Sequence, residues 1–262
     1  DPSFTSSTIA SVNIYAKHPQ LLFVRKHQYI FDLDDPSNFG YYMSFSKDNQ
    51  YKLEYPFVNI VREGICGEDA DEAKINDTIK KKGIAHIILA TGSSQLKFLA
   101  ELRKKMIPWK KVVVFHLDEY MGLAEDHPSG FRYYLRKNII DHVQPRKFYS
   151  IDATNIITEE ILTSYSVLLR AHPIDLACVG IGENGHLAFN DPGVADFNDP
   201  LLIKLVTLDL QCREQQWKEG WFETLDLVPK KALTLTIPAI MNANHISCFV
   251  PDKRKAQAVK NA

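Results

Sequence analysis

Residues 83–106 read Gly-Ile-Ala-His-Ile-Ile-Leu-Ala-Thr-Gly-Ser-Ser-Gln-Leu-Lys-Phe-Leu-Ala-Glu-Leu-Arg-Lys-Lys-Met, and this stretch decides the predicted fold. The apolar run from Ile84 to Ala90 follows a glycine and is rich in isoleucine, which is typical of a buried strand. Beyond the polar residues 91–94, leucine and methionine recur every three or four positions from Leu96 to Met106, which predicts a helix. The stretch therefore predicts a strand, a short turn and a helix in direct succession.

Similar apolar runs follow along the chain, and most are nearly continuous, as expected for strands covered on both faces. They lie at 112–115, 176–181, 233–237 and 246–250. A second helical period spans 131–143, where Phe131, Leu135, Ile139 and Val143 share one face. Strands alternating with helices predict a single α/β domain with a doubly wound, mainly parallel sheet and helices on both faces, a Rossmann-like architecture. We assign residues 61–262 to this domain and residues 1–60, which show no sustained period, to an N-terminal segment of unassigned role.

Composition narrows the class of protein further. The 262 residues are 45% hydrophobic and 24% charged, and 31 basic residues balance 32 acidic ones to a net charge of −1. Nucleic-acid-binding domains usually carry a strong basic excess, so no nucleic-acid partner is expected. No apolar run approaches the length of a membrane span, and the first residues lack a secretion-signal pattern, so we expect no membrane association and a cytoplasmic location. The four cysteines are far apart and form no C-x-x-C pair, which favours reduced thiols over a disulfide framework or a zinc site.

The first predicted strand ends in Thr91-Gly92-Ser93-Ser94. In doubly wound sheets ligands bind beyond the carboxyl ends of the strands, so this turn is a candidate binding element. Free backbone N–H groups and the positive end of a helix dipole would suit a phosphate. An ordinary helix cap is the alternative interpretation, because serine and threonine are preferred there. The turn matches neither a Walker loop nor a dinucleotide fingerprint.

The second strand is followed by Asp118 and Glu119. Adjacent side chains on a strand point to opposite sides, so one carboxylate is expected to face a given pocket while the other supports it. A carboxylate in that place can act as a general base. Capping of the next turn by both acids is an equally good interpretation of these two residues alone.

The third strand ends in Gly180-Ile181-Gly182-Glu183-Asn184-Gly185-His186-Leu187-Ala188-Phe189-Asn190-Asp191-Pro192-Gly193. His186 titrates near neutrality and can move protons, with Asp191 orienting it or raising its pKa. A structural loop histidine is the alternative interpretation. Neither His186 with Asp191 nor His116 with Asp118 has the spacing of a recognised metal site, so no metal is expected.

Together these motifs resemble the glucosamine-6-phosphate deaminase (isomerase) family. The similarity is carried by Thr91–Ser94, by Leu117-Asp118-Glu119-Tyr120 with His127-Pro128, and by residues 180–193; Val228–Thr234 and Lys255-Ala256 continue it in the right order. It covers roughly residues 70–262 and implies that the 61–262 domain converts a 2-amino-2-deoxyhexose 6-phosphate and water to a ketohexose 6-phosphate and ammonia. The resemblance implies that the reaction needs no cofactor and that the partner is a small sugar phosphate. Association into a homo-oligomer stays possible on this resemblance.

The resemblance also implies a role for each matching residue. Asp118 corresponds to the base that takes the proton from C2 of the sugar and returns one at C1. His186 corresponds to the group that assists ring opening, with support from Asn184 and Asp191. Thr91, Gly92, Ser93, Ser94 and Lys255 correspond to the phosphate-binding positions.

Three positions depart from the family pattern. Asp191 stands where glutamate is usual, Asn184 where some members have aspartate, and Gln216 where a phosphate-contacting arginine is expected. Arg213, one helical turn before Gln216, is the candidate replacement. Two other functions stay open: a 6-phosphogluconolactonase-like hydrolase, which has a related fold, and a non-catalytic sugar-phosphate-binding regulator, in which the departures mark lost chemistry.

Overall fold

A computed structural model describes residues 27–30, 41–47, 58–59, 68–154, 159–250 and 255–261 of the chain. Its strands are β1 (His27–Ile30), β2 (Tyr41–Lys47), β3 (Val58–Asn59), β4 (Ala85–Leu89), β5 (Val112–His116), β6 (Asp118–Tyr120), β7 (Lys147–Tyr149), β8 (Leu176–Val179), β9 (Ile203–Thr207), β10 (Lys231–Leu235) and β11 (His245–Val250). Its α-helices are α1 (Glu68–Lys82), α2 (Leu96–Leu102), α3 (Phe131–Leu135), α4 (Asp141–Val143), α5 (Glu159–Ala171), α6 (Leu210–Lys218), α7 (Ile237–Met241) and α8 (Ala256–Asn261). Among these residues no helix combines the length and apolar character needed to cross a membrane.

Five strands form a parallel sheet in the order β11-β8-β4-β5-β7, which confirms the predicted mainly parallel α/β fold. The chain begins this sheet at β4, adds β5 on one side and later adds β8 on the other. The strand order therefore reverses at β4, and in such sheets ligands bind beyond the carboxyl ends at that reversal. Leu89 at the end of β4 pairs with His116 of β5 and with Cys178 of β8, so the three strands end side by side.

Both faces of this sheet are covered, which explains why its strands are almost continuously apolar. Along β4, Ile88 packs into one apolar layer while Ile87 and Leu89 pack into the other. Buried residues of α5 and α7 belong to the first layer, and buried residues of α1, α2 and α3 belong to the second. The structure therefore has the predicted helices on both faces.

The backbone of the N-terminal segment extends the sheet. β2 pairs antiparallel with β11, β1 pairs antiparallel with β2, and β3 pairs with β1. Most of residues 1–60, whose role the sequence left unassigned, lie outside the described residues. The division of the chain at residue 60 stays a prediction.

The apolar run at 233–237 does not join the main sheet, contrary to the simple expectation from its composition. β10 lies between β6 and β9 in a separate antiparallel sheet of three strands, with Thr234 opposite Asp118. The run also ends early, because the Thr236 side chain accepts a hydrogen bond from Ala239 N and caps α7 at Ile237. This small sheet holds β6, and with it Asp118, beyond the end of β5.

The helix predicted over 96–106 is shorter than expected, and it buries a different set of residues. α2 ends at Leu102, and Leu96 and Met106 are 41% and 86% exposed, while Phe98, Leu99 and Leu102 are buried. A short 3₁₀ turn at Ser93–Gln95 precedes α2 and shifts the buried face. The second predicted helix is continuous over 131–143, with a π-helical turn at Arg136–Ile140 between α3 and α4.

Candidate active site

A cleft opens at the carboxyl ends of β4, β5 and β8. Its empty volume, counting the part open to solvent, is about 570 Å³, which suits a small molecule. It is lined by Ala90, Thr91, Gly92, Ser93, Ser94, Leu117, Asp118, Phe131, Gly180, Ile181, Gly182, His186, Ala188, Phe189, Gln215, Gln216, Glu219 and Lys255. The structure thus brings the polar residues that follow three different strands into one site.

The turn Thr91–Ser94 forms one wall of the cleft. Gly92 has a φ of 104°, a conformation that side-chain-bearing residues rarely adopt. Its carbonyl is held from two directions, because it accepts hydrogen bonds from Gln95 N at 3.0 Å and from the Tyr134 hydroxyl at 2.7 Å. With this carbonyl fixed, the turn keeps one conformation at the edge of the cleft, and its backbone N–H groups are a candidate cradle for an anion.

Lys255 reaches the same cleft from the segment after β11. It is only 7% exposed and is the one lysine or arginine among the described residues that line the cleft. Gln95 ties the end of β11, which precedes this segment, to the turn, because its side-chain amide donates to Phe249 O at 2.9 Å and to Ser94 Oγ at 3.2 Å. Lys255 and the Thr91–Ser94 turn therefore line the same cleft.

Asp118 and Glu119 have different environments, as their adjacent positions on β6 predicted. Asp118 faces the cleft, is 4% exposed, and its Oδ1 has no hydrogen-bond partner among the described residues. Burial, reinforced by the Glu119 carboxylate, raises the pKa of Asp118 well above its usual range. A carboxylate of this kind is a strong base once it is ionised.

Glu119 points away from the cleft and holds the start of α3. Its carboxylate accepts hydrogen bonds from Phe131 N at 2.9 Å and Arg132 N at 2.8 Å, and it pairs with the Arg132 guanidinium at 3.3 Å. Burial raises the pKa of Glu119, although these partners oppose the shift. Glu119 is therefore a structural neighbour of the candidate base.

His186 faces the cleft with a fixed ring orientation. Its Nδ1 lies 2.7 Å from Asn184 Oδ1 and 3.2 Å from Asp191 Oδ1, and Asn184 Nδ2 donates to the same Asp191 oxygen at 3.0 Å. Since both neighbours of Nδ1 are acceptors, Nδ1 carries the proton and the Nε2 lone pair is left for a ligand. Asn184 and Asp191 do not line the cleft but position the residue that does.

Asp191 is prepared to stabilise a protonated His186. Burial by itself raises the pKa of Asp191, but hydrogen bonds from His186 and Asn184 outweigh it and leave the pKa below its usual range. Asp191 is therefore a carboxylate at neutral pH, and its charge favours the imidazolium that forms when Nε2 accepts a proton.

The structure does not bring Arg213 into the cleft, so the prediction of a phosphate ligand there has no structural support. The guanidinium donates instead to Leu225 O at 2.8 Å and Val228 O at 3.1 Å, where it ties α6 to the following loop. Gln216 does line the cleft. The two residues are one turn of α6 apart, but the hydrogen bonds to these loop carbonyls hold the Arg213 side chain away from the cleft.

Sequence reasoning missed Gln215 and Glu219, which reach the cleft from α6 and the residue after it. Glu219 accepts a hydrogen bond from Ser93 Oγ at 2.7 Å, directly at the candidate phosphate turn. The signal that could have found Glu219 is its spacing, three residues after Gln216 and four after Gln215, because residues three and four apart share one side of a helix.

One group of side chains among the described residues has the make-up of a metal site. His186, Asp191 and Cys212 offer ligand atoms within 4.8 Å of one another. Burial raises the pKa of the Cys212 thiol, which disfavours the thiolate that would bind a metal. The expectation that no metal is used stays a prediction.

Comparisons with known proteins agree with this geometry. Residues 68–200 match a family model described as glucosamine-6-phosphate isomerases/6-phosphogluconolactonase. Glucosamine-6-phosphate deaminases of Bacillus thuringiensis (strain Al Hakam) and Bacillus cereus (strain B4264) are each 34% identical over 186 residues, which cover 71% of this chain and 69% of theirs.

Two solved structures show the same overall arrangement. A monomeric glucosamine-6-phosphate deaminase aligns with a TM-score of 0.59 and 28% identity over 67% of this chain and 75% of its own. A 6-phosphogluconolactonase from Thermotoga maritima aligns with a TM-score of 0.52 and 19% identity over 66% and 72% of the two chains. The second likeness concerns the fold.

Proposed function

Because this chain belongs to the glucosamine-6-phosphate isomerase/6-phosphogluconolactonase family, we propose that it converts an amino-sugar phosphate and water to a ketohexose 6-phosphate and ammonia. The substrate is glucosamine 6-phosphate or its C4 epimer galactosamine 6-phosphate. The observation that carries the proposal is the position of Asp118, a buried carboxylate whose Oδ1 has no hydrogen-bond partner among the described residues, in the same cleft as His186 and the Thr91–Ser94 turn.

Binding of the phosphate group begins the sequence of steps. The backbone N–H groups of the Thr91–Ser94 turn and the Lys255 ammonium hold this group and fix the position of the sugar. Holding a substrate in one orientation makes the later proton transfers effectively intramolecular.

Ring opening is the role of His186. Nε2 accepts the proton of the hydroxyl on C1, the bond between C1 and the ring oxygen breaks, and the ring oxygen receives a proton from the imidazolium. Asp191 stabilises that imidazolium, and Asn184 keeps Nδ1 as the proton-bearing nitrogen. The product is the open-chain aldehyde.

Asp118 then carries out the isomerisation. The ionised carboxylate takes the proton from C2, which produces an enolate with the amino group still on C2; the Asp118 carboxylic acid then returns a proton to C1, and a proton moves from the nitrogen to O1. The result is an imine at C2, to which water adds as ammonia leaves, so that the sugar gains an oxygen and loses a nitrogen. A positioned base of this kind contributes about 10²- to 10⁴-fold to rate.

Hydrolysis of 6-phosphogluconolactone is the alternative within the family. It requires attack of water at C1, for which His186 alone can serve as the general base, and no proton abstraction from C2, so this reaction does not need the second proton-transfer group that Asp118 provides. The fold alone does not separate the two reactions, and it is the cleft-facing carboxylate that favours the deaminase. A non-catalytic regulator would likewise have no use for a buried base whose ionisation costs stability.

The test is a comparison of three substrates with the purified chain. We expect glucosamine 6-phosphate or galactosamine 6-phosphate to yield ammonia and ketohexose 6-phosphate in equal amounts, while 6-phosphogluconolactone is hydrolysed no faster than in buffer. Lactone hydrolysis without ammonia release would assign the alternative function. Binding of the amino-sugar phosphates without any product would assign the regulator. The cytoplasmic location and association into a homo-oligomer stay predictions.

A further inference from the structure

Glu219, the residue that ends α6, places a carboxylate at the candidate phosphate end of the cleft. Its Oε2 accepts hydrogen bonds from Ser93 Oγ at 2.7 Å and from Trp221 Nε1 at 3.3 Å, and its Oε1 accepts one from Gln215 Nε2 at 2.8 Å. Three donors from three places in the chain therefore fix the side chain against the Thr91–Ser94 turn.

The carboxylate is ionised at neutral pH. Burial by itself raises the pKa of Glu219, but the hydrogen bonds from Gln215, Ser93 and Trp221 and the positive charge of Lys255 outweigh it and leave the pKa below its usual range. Lys255 thus interacts electrostatically with Glu219 as well as lining the cleft. The positive charge at this end of the cleft is partly neutralised before any ligand arrives.

Glu219 and a phosphate group require the same partners. A serine hydroxyl has a single proton, and Ser93 donates it to Glu219, so the hydroxyl cannot donate to a phosphate at the same time. Like charges that face each other across a binding site cost affinity. Among the described residues that line the cleft no guanidinium offsets this repulsion, because Gln216 occupies the position where an arginine is expected and Arg213 is bonded to loop carbonyls instead.

We propose that Glu219 is a specificity-determining residue that competes with the substrate's phosphate group for the Ser93 hydroxyl and the Lys255 charge. This inference rests on the proposed function, since it concerns the phosphate end of the same substrate. A phosphate-bearing ligand must displace the carboxylate from Ser93 in order to bind. The phosphate end therefore binds a dianion more weakly than its N–H groups and lysine alone would allow.

The test uses inorganic phosphate as the probe and Glu219→Gln in the full chain. Glutamine has the same shape and retains an acceptor for its neighbours but removes the negative charge. We expect the Kd for phosphate, measured by isothermal titration calorimetry, to fall about tenfold, and the KM for glucosamine 6-phosphate to fall with it. The matched control is Glu214→Gln on the same helix, which removes an equal charge from a residue that pairs with Lys218 and does not line the cleft. It should leave both constants unchanged.

Ser93 provides a second test that does not depend on the charge. In the wild-type chain Ser93→Ala should weaken phosphate binding less than it does in a Glu219→Ala background, because on binding the wild-type hydroxyl only exchanges one acceptor, Glu219, for another, the phosphate. In the Glu219→Ala background the hydroxyl is released, so the same substitution should weaken binding several-fold.

Weaker phosphate binding in Glu219→Gln would overturn the inference and make Glu219 a support of the turn, and an unchanged Kd would overturn it as well. Thermal unfolding of each variant separates either result from loss of the fold. Ammonia release by the wild-type chain is measured separately, so failure of this inference is distinguishable from failure of the proposed function.

Discussion

At the scale of single residues, Asp118 combines a candidate catalytic position with an energetic cost. Its carboxylate is buried without a hydrogen-bond partner among the described residues, and its pKa is raised because burial disfavours the charged form. Sites that bind and convert ligands commonly retain such destabilising groups at the expense of stability.

Replacing Asp118 with asparagine should therefore stabilise the protein. With a raised pKa the folded state keeps a proton that the unfolded chain releases above about pH 4, so wild-type stability falls as pH rises from there to the folded-state pKa. Asparagine does not titrate. The variant should unfold at least about 2–4 °C higher at pH 7, which corresponds to about 1 kcal/mol in a chain of this size.

Differential scanning calorimetry of both proteins from pH 4.5 to 8 checks this expectation. The difference in Tm should grow with pH and shrink towards the acid end. A variant that melts at or below the wild-type temperature at pH 8 would show that Asp118 is held by interactions stronger than the cost of its burial.

Gly182 is needed because the His186 ring packs directly against it, and not because of its backbone conformation. A Cβ placed on Gly182 would overlap the His186 imidazole, so Gly182→Ala should push the ring out of position. Displacement of a catalytic group by about 1 Å can cost about 10²-fold in rate. Gly193→Ala is the control, because a Cβ there meets nothing within 4 Å. Steady-state kcat for ammonia release should fall in the first variant and not in the second; equal values would remove His186 from the mechanism.

At the scale of elements, one side chain joins the small sheet to the helix that follows it. Gly130 precedes α3 and has no side chain with which to cap it. Glu119 on β6 takes over this function by accepting from Phe131 N and Arg132 N. It also balances Arg132, which is 4% exposed and additionally pairs with Asp152.

Glu119→Gln should therefore be among the more destabilising substitutions in the chain. It leaves a buried guanidinium without its buried carboxylate partner, which typically costs about 3–5 kcal/mol. Glu125→Gln is the matched control, because Glu125 pairs with Arg136 on the surface with its side chain 62% exposed, and such pairs contribute about 0–1 kcal/mol. Urea unfolding measures both. A cost below 1 kcal/mol for Glu119→Gln would show that Arg132 is satisfied by its other partners.

At the scale of the whole molecule, the apolar runs of the sequence and the helical periods between them were sufficient to predict the mainly parallel sheet. Ile87 and Ile88 point to opposite faces of β4, and both are fully buried, so an uninterrupted apolar run correctly indicated a strand with helices on each side. In such sheets ligands bind beyond the carboxyl ends of the strands. This rule predicted that Asp118, His186 and the Thr91–Ser94 turn, which all follow strands, would meet.

Other features of the molecule depend on partners that are distant in sequence. The run at Leu233–Leu235 is as apolar as β4, yet it pairs with β6 and β9, because the choice of sheet is made by long-range pairing and not by composition. The face of α6 that meets the cleft is likewise set by packing, so Gln216 and Glu219 line it while Arg213 does not. Composition and spacing give no sign of which face this is.

The central claim is that Asp118 moves a proton in an amino-sugar phosphate held by its phosphate group. The most direct test compares ammonia release from glucosamine 6-phosphate, or its C4 epimer, by wild type and Asp118→Asn, alongside the Kd of each protein for inorganic phosphate. We expect kcat to fall at least about 10²-fold while the phosphate Kd stays within about twofold, since the substitution leaves the turn and Lys255 intact. A variant that keeps the wild-type rate, or one that loses rate and phosphate binding in parallel, would contradict the claim.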